Sequence, residues 1–131
     1  MGIQIAGALK NLVAFLCGVS DGLGGGCNQR AVIVTKGIQE IGKLMSKCGG
    51  NMETVYGISG LGDTIVTSLN PLMSRNRQAG KFLAEGRTKQ EIVGELMHMV
   101  VESFYVIDAL PFLLGENAEA EYPLLFQALE I

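Results

Sequence analysis

Val34, Ile38, Ile41 and Met45 recur every three or four residues, which places them on one stripe of an α-helix rather than on one face of a strand. Nowhere does the chain alternate apolar and polar residues between hairpin turns, and no unit repeats along it. The pattern therefore predicts an all-α fold. With 131 residues, the chain is long enough for one domain with a substantial core and needs no internal linker.

Caps and glycines mark the expected helix ends. From Ile5 to about Val19 the sequence is rich in Ala, Leu and Val, and Ser20-Asp21-Gly22-Leu23-Gly24-Gly25-Gly26 is expected to break that helix. A second helix runs from near Asn28 to Gly49-Gly50. Met52 to Gly57 fits a single turn, and Leu61 to Ser68 a short helix, although Ile65-Val66-Thr67 would equally suit a strand. Ser74 is placed to cap a helix through Gln78 and Phe82 to Glu85, with Gly86 as its left-handed terminator. Thr88-Lys89-Gln90-Glu91 reads as a capping box opening the next helix. Further helices are expected from about Val101 to Leu114, despite Pro111, and after Pro123.

Composition removes several function classes. Hydrophobic residues make up 48% of the chain and charged residues 18%, which excludes disorder and leaves apolar surface to spare for a partner. A formal net charge of -3 gives no electrostatic reason to seek nucleic acid or an anionic membrane. Cys17, Cys27 and Cys48 are odd in number and form no CxxC pair, so neither a disulfide framework nor a zinc site is expected, and a reducing cytoplasm is the simpler setting. The apolar run from Leu12 to Val19 is too short for a bilayer, extending it backwards brings in Lys10 and Asn11, and Met1 to Leu9 offers no basic segment of the kind a secretory signal needs.

Five places in the sequence invite a chemical reading, and each has a plain structural alternative. Gly22-Leu23-Gly24-Gly25-Gly26-Cys27 lacks the last glycine of GxGxxG and follows a helix instead of a strand, so it reads as a helix-terminating loop rather than a nucleotide cradle. Lys10 has Ala6, Gly7, Val13 and Ala14 one turn away on either side. Burial there favours the neutral amine and a nearby carboxylate the ammonium, so the surroundings can tune Lys10 as an acid–base group; the alternative is a lysine snorkelling from a buried helix. Ser74-Arg75-Asn76-Arg77 offers two guanidinium groups and an amide at a helix start, suited to a phosphate or simply solvated as a capped terminus. Asp63, between glycine-containing turns, is either a helix cap or a carboxylate partner for Lys10. His98, flanked by Met97 and Met99, has no triad partner at a telling spacing and is expected to be structural or exposed.

Taken in order, Gly7-Ala8-Leu9-Lys10-Asn11, Ser20-Asp21-Gly22-Leu23-Gly24, Gly60-Leu61-Gly62-Asp63, Ser74-Arg75-Asn76-Arg77 and Val100-Val101-Glu102 resemble the C-terminal domain of bacterial-type NAD(P)-dependent glycerol-3-phosphate dehydrogenases. The resemblance spans nearly the whole chain, and its joint order and spacing outweigh the structural alternatives for Lys10, Asp63 and Ser74 to Asn76. It departs from the family at Ser68-Leu69-Asn70-Pro71-Leu72-Met73, a connection that looks one residue longer and more apolar.

The resemblance implies a multi-helix domain of the 6-phosphogluconate dehydrogenase-like type over residues 1–131, and an N-terminal Rossmann domain that binds NAD or NADP and is absent from this chain. It implies reversible interconversion of dihydroxyacetone phosphate and sn-glycerol 3-phosphate, feeding glycerophospholipid synthesis in the cytoplasm, with Lys10 as the acid–base residue. Asn11, Asp63 and Thr67 would orient the substrate hydroxyls and Lys10, while Ser74, Arg75 and Asn76 would hold the phosphate end. Arg75, Val100 and Glu102 would touch the nicotinamide cofactor. The isolated chain is expected to lack turnover and, with apolar surface exposed, to form a homo-oligomer. The competing readings are a helical domain of a related hydroxyacid or 6-phosphogluconate-type dehydrogenase, and a stand-alone helical dimerisation or interaction module.

Overall fold

The computed structural model describes residues 2–57, 61–62, 64–65, 75–95 and 102–130. Its elements are α1 (Gly2–Gly22), α2 (Cys27–Lys47), α3 (Met52–Tyr56), α4 (Arg75–Ala84), α5 (Lys89–Glu95), α6 (Glu102–Leu114), α7 (Ala118–Glu121), α8 (Pro123–Gln127) and a final 3-10 turn (Ala128–Glu130). Among the described residues there is no strand, as the helical periodicity requires.

The centre of the fold is α1. Every residue from Leu12 to Gly18 is buried, so the helix is enclosed on all sides, the placement expected of a helix that is apolar all round. The run Leu12 to Val19 is thus a core helix, wrapped by α2, α4 and α6. The apolar stripe of α2, including Val34, Ile38, Ile41 and Met45, closes one side. Leu110 and Leu114 of α6, with Tyr122 and Leu125, fill the other end of the same core.

Two features of sequence govern how close α4 comes to α1. A Cβ built on Gly80 would strike the Phe15 carbonyl oxygen and lie 2.9 Å from the Val19 nitrogen, and one on Gly18 would strike the Arg77 carbonyl oxygen. Glycine at both positions lets the two backbones touch, and no side-chain rotation could make room for anything larger.

The capping box holds as expected. The Thr88 amide donates to Glu91 Oε2 at 3.1 Å and the Glu91 amide to Thr88 Oγ1 at 3.2 Å, while Gly86 ends α4 at φ 95°. Two expectations need correction. Helix α1 continues past Val19 through Ser20 and Asp21 to Gly22, and the turn comes at Gly24, φ 87°, where the Gly25 amide returns to the Ser20 carbonyl at 2.7 Å. The helix therefore ends at the first glycine of the segment, beyond the expected end at about Val19. Helix α7 was not anticipated; it is a short connection between Gly115 and Pro123.

Helix α8 is started from afar. Glu40 of α2, itself buried, accepts the Leu124 and Leu125 amides, both at 2.8 Å. These are among the amides that a helix cannot satisfy internally at its first turn. Burial pushes the Glu40 carboxyl above its ordinary value, against the pull of those two amides and of Lys36 and Lys43.

The backbone contact at Gly80 yields a contrast. Gly80→Ala is expected to cost about 2–3 kcal/mol by overpacking. Gly94→Ala, where a Cβ meets nothing within 4 Å among the described residues, is expected to be neutral or to stabilise by up to about 1 kcal/mol through helix propensity. Urea denaturation reads both, and equal midpoints for the two variants would refute the close-contact account.

Candidate functional site

Lys10 lies on the first half of α1 and is partly buried, as is Asn11 beside it. Among the described residues, a Cβ added at Gly7, one turn earlier, would meet nothing within 4 Å. Lys10 thus has open space one turn before it, at Gly7, while Val13 and Ala14, one turn after it, are completely buried. Lys10, Asn11, Thr64 and Asn76 are all engaged with neighbouring groups. Thr64 is completely buried, next in sequence to the predicted Asp63. Asp63, Thr67, Ser74 and Val100 lie outside the described residues, as do the side chain of Glu102, the Ser68 to Met73 connection and His98.

At the start of α4 the four-residue motif divides by function. Arg75 is exposed and Asn76 is 5% exposed, so successive residues point to solvent and into the molecule. An exposed guanidinium in a first turn can donate to a phosphate oxygen or to an amide carbonyl. Its chemistry thus fits either the phosphate end of a substrate or a nicotinamide cofactor.

Arg77 does something else. Its side chain is only 7% exposed, and its Nε donates to Asp21 Oδ2 at 2.6 Å. Neither reading of the motif's second arginine, a phosphate donor or a solvated cation, describes Arg77, which is buried in an internal ion pair. Spacing alone could not reveal this, because the partner lies 56 residues away in a segment first read as loop.

The other oxygen of Asp21 is also used, accepting from Arg30 Nη1 of α2 at 2.9 Å. Arg30 reaches further, with Nη2 3.1 Å from the Cys27 Sγ. One carboxylate thus joins α1, α2 and α4. Burial raises the Asp21 carboxyl, but the hydrogen bonds and charges of Arg77 and Arg30 outweigh that effect and hold it below the ordinary aspartate value. The hydrogen bond to Asp21 correspondingly raises Arg30.

Against the glycine turn, a cavity of about 440 Å³ is lined by Leu16, Val19, Leu23, Val32, Ile33 and Leu124, among others. It is mainly apolar and shares no residue with the Lys10 surroundings. Among the described residues no group of three His, Cys, Asp or Glu could hold a metal, and no helix is long and apolar enough to cross a membrane.

Because the folded Asp21 is depressed, its contribution to stability is present above the ordinary aspartate value and is lost as the pH falls below it. Asp21→Asn is expected to cost about 3 kcal/mol near neutrality, since Arg77 is left buried beside a neutral partner. The gap between variant and wild type should then narrow in denaturant titrations taken from about pH 5 to about pH 2. A gap constant over that range would show that the carboxylate charge plays no part.

Comparison with known proteins gives a consistent answer. The profile of the family described as "NAD-dependent glycerol-3-phosphate dehydrogenase C-terminus" matches residues 1–131. Glycerol-3-phosphate dehydrogenase [NAD(P)+] of Aromatoleum aromaticum is 48% identical over 99 residues, 76% of this chain and 30% of that protein. The Glaesserella parasuis protein of the same name is 39% identical over 131 residues, 100% of this chain and 38% of that protein. The crystal structure of glycerol-3-phosphate dehydrogenase from Coxiella burnetii superposes with a TM-score of 0.85 at 38% identity, covering 98% of this chain and 39% of that one. The chain spans 30% of the Aromatoleum protein's length and 38% of the Glaesserella protein's.

Proposed function

Since this chain belongs to the family of NAD-dependent glycerol-3-phosphate dehydrogenase C-terminal domains, we propose that it is the substrate-binding and acid–base half of such an enzyme. The reaction is the reversible reduction of dihydroxyacetone phosphate to sn-glycerol 3-phosphate with NAD(H) or NADP(H). The observation that carries this reading is the pairing of α1, with Lys10 beside open space at Gly7, and α4, with Arg75 and Asn76 in its first turn. The family match favours a glycerol-phosphate substrate over those of 6-phosphogluconate-type enzymes.

A nicotinamide cofactor, when bound, supplies or accepts the hydride at C2 of the substrate. Lys10 Nζ gives a proton to the C2 oxygen in reduction and takes it back in oxidation. Asn11, Asp63 and Thr67 orient the substrate hydroxyls and Lys10, and Ser74, Arg75 and Asn76 grip the phosphate end. Arg75, Val100 and Glu102 face the cofactor, whose main binding site belongs to an N-terminal Rossmann domain working with this one. We place the enzyme in the cytoplasm. We also propose that it forms a homo-oligomer, supported by the exposure of Phe112, 90%, and Leu23, 74%. The 131-residue chain alone is expected not to oxidise glycerol 3-phosphate at an enzymatic rate, because the main site for the hydride acceptor would be supplied by the N-terminal domain.

The test joins this chain to the remainder of the Aromatoleum aromaticum enzyme and measures turnover. The chimera is expected to be active, and Lys10→Ala to lower kcat by about 10²- to 10⁴-fold with the fold unchanged. Full turnover in Lys10→Ala would remove the acid–base assignment. An inactive but folded wild-type chimera would remove the dehydrogenase reading itself.

A further inference from the structure

Asp21 stands on the same side of α1 as Lys10. Eleven residues separate them, and at 3.6 residues per turn this is about three full turns, leaving the two side chains within about 20° around the helix axis. At a rise of 1.5 Å per residue, they stand about 16 Å apart along it. Asp21 is therefore too far from Lys10 to touch a three-carbon substrate held there, yet it faces the same way.

From that position Asp21 grips the first part of α4. Arg77 is fastened to α1 twice: its Nε is bonded to Asp21 Oδ2, and its carbonyl oxygen lies against Gly18. Arg77 follows Arg75 and Asn76 directly in the chain. A helix held by both side chain and backbone at one residue cannot slide or rotate without carrying its preceding residues along. Those residues are the ones that would hold the substrate's phosphate end.

We propose that Asp21, acting through Arg77, is a positioning residue that sets where Arg75 and Asn76 stand relative to Lys10. This rests on the dehydrogenase reading for its catalytic consequence, though the mechanical part does not. Arg30 is the lesser arm: it holds the second carboxylate oxygen from α2 and is not fastened to α4. Since the phosphate end does not react, loosening its grip weakens substrate and transition state alike, and the signature is a raised KM with little change in kcat.

The experiment uses the chimera described above, assayed well below the melting temperature of each variant. Asp21→Asn and Arg77→Lys are each expected to raise KM for glycerol 3-phosphate by about tenfold with kcat within about threefold, while Arg30→Gln changes KM by less than about twofold. If Asp21→Asn does not fold, Arg77→Lys carries the same comparison. Unchanged KM in folded variants overturns the proposal, as does a fall in kcat alone, which would place the effect at Lys10 instead of α4. So does an Arg30→Gln effect as large as that of Asp21→Asn.

If the wild-type chimera folds but does not turn over, the dehydrogenase reading fails while the positioning claim is still decided, by hydrogen exchange in the 131-residue chain. Asp21→Asn, or Arg77→Lys in its place, is then expected to speed exchange of the Ala79 and Gly80 amides at least tenfold relative to amides of α5. Equal acceleration in both helices would mean a general loss of stability and would overturn the claim.

Discussion

The contact on which the structure depends is the one between the backbones of α1 and α4 at Gly18 and Gly80. Apolar burial alone would hold two helices at a distance set by their side chains. Here the side chains are missing at the crossing, so main-chain atoms face one another and dispersion acts over short distances. A contact this close leaves little freedom to adjust, and it determines the room for an ion pair a few residues away. The Asp21–Arg77 bond at 2.6 Å is short because the helices already lie together, and it specifies which residue of α4 stops opposite Gly18.

The ion pair also explains why a buried charge is tolerated. A guanidinium taken out of water is costly unless its charge is balanced and its donors are used. Asp21 meets part of that need for Arg77 and, with its other oxygen, for Arg30. Replacing all three groups by apolar residues of similar volume would give a well-filled core, but one with less to distinguish correct from shifted arrangements of α4. The Gly18 and Gly80 contact supplies proximity, and the charges supply direction.

How much of this was legible in the sequence depended on how local each determinant was. The capping box at Thr88 and Glu91 and the terminator at Gly86 were readable because all their partners lie within one helical turn. The Val34 to Met45 stripe was readable because burial repeats with the helix period. The end of α1 lies beyond the expected position because the Ser20-Asp21-Gly22 segment looks like a breaker locally, whereas the bonds from Asp21 to Arg77 and Arg30 tie it to two other helices. Arg77 itself was grouped with Arg75, since spacing shows that two cations share a helix start but not that one turns inward. Glu40 carried no signal: nothing near it in the chain announces that its partners are the amides of Leu124 and Leu125.

That last arrangement bears on the order in which the chain can assemble. Helix α8 is five residues long, far too short to nucleate on its own, and its first amides are answered by a carboxylate 84 residues earlier. Closing so large a loop costs entropy before any of the gain is realised. The C-terminal segment is therefore built as a latch: it has no helical structure to offer until α2 stands in place, and once seated it is held there by Glu40.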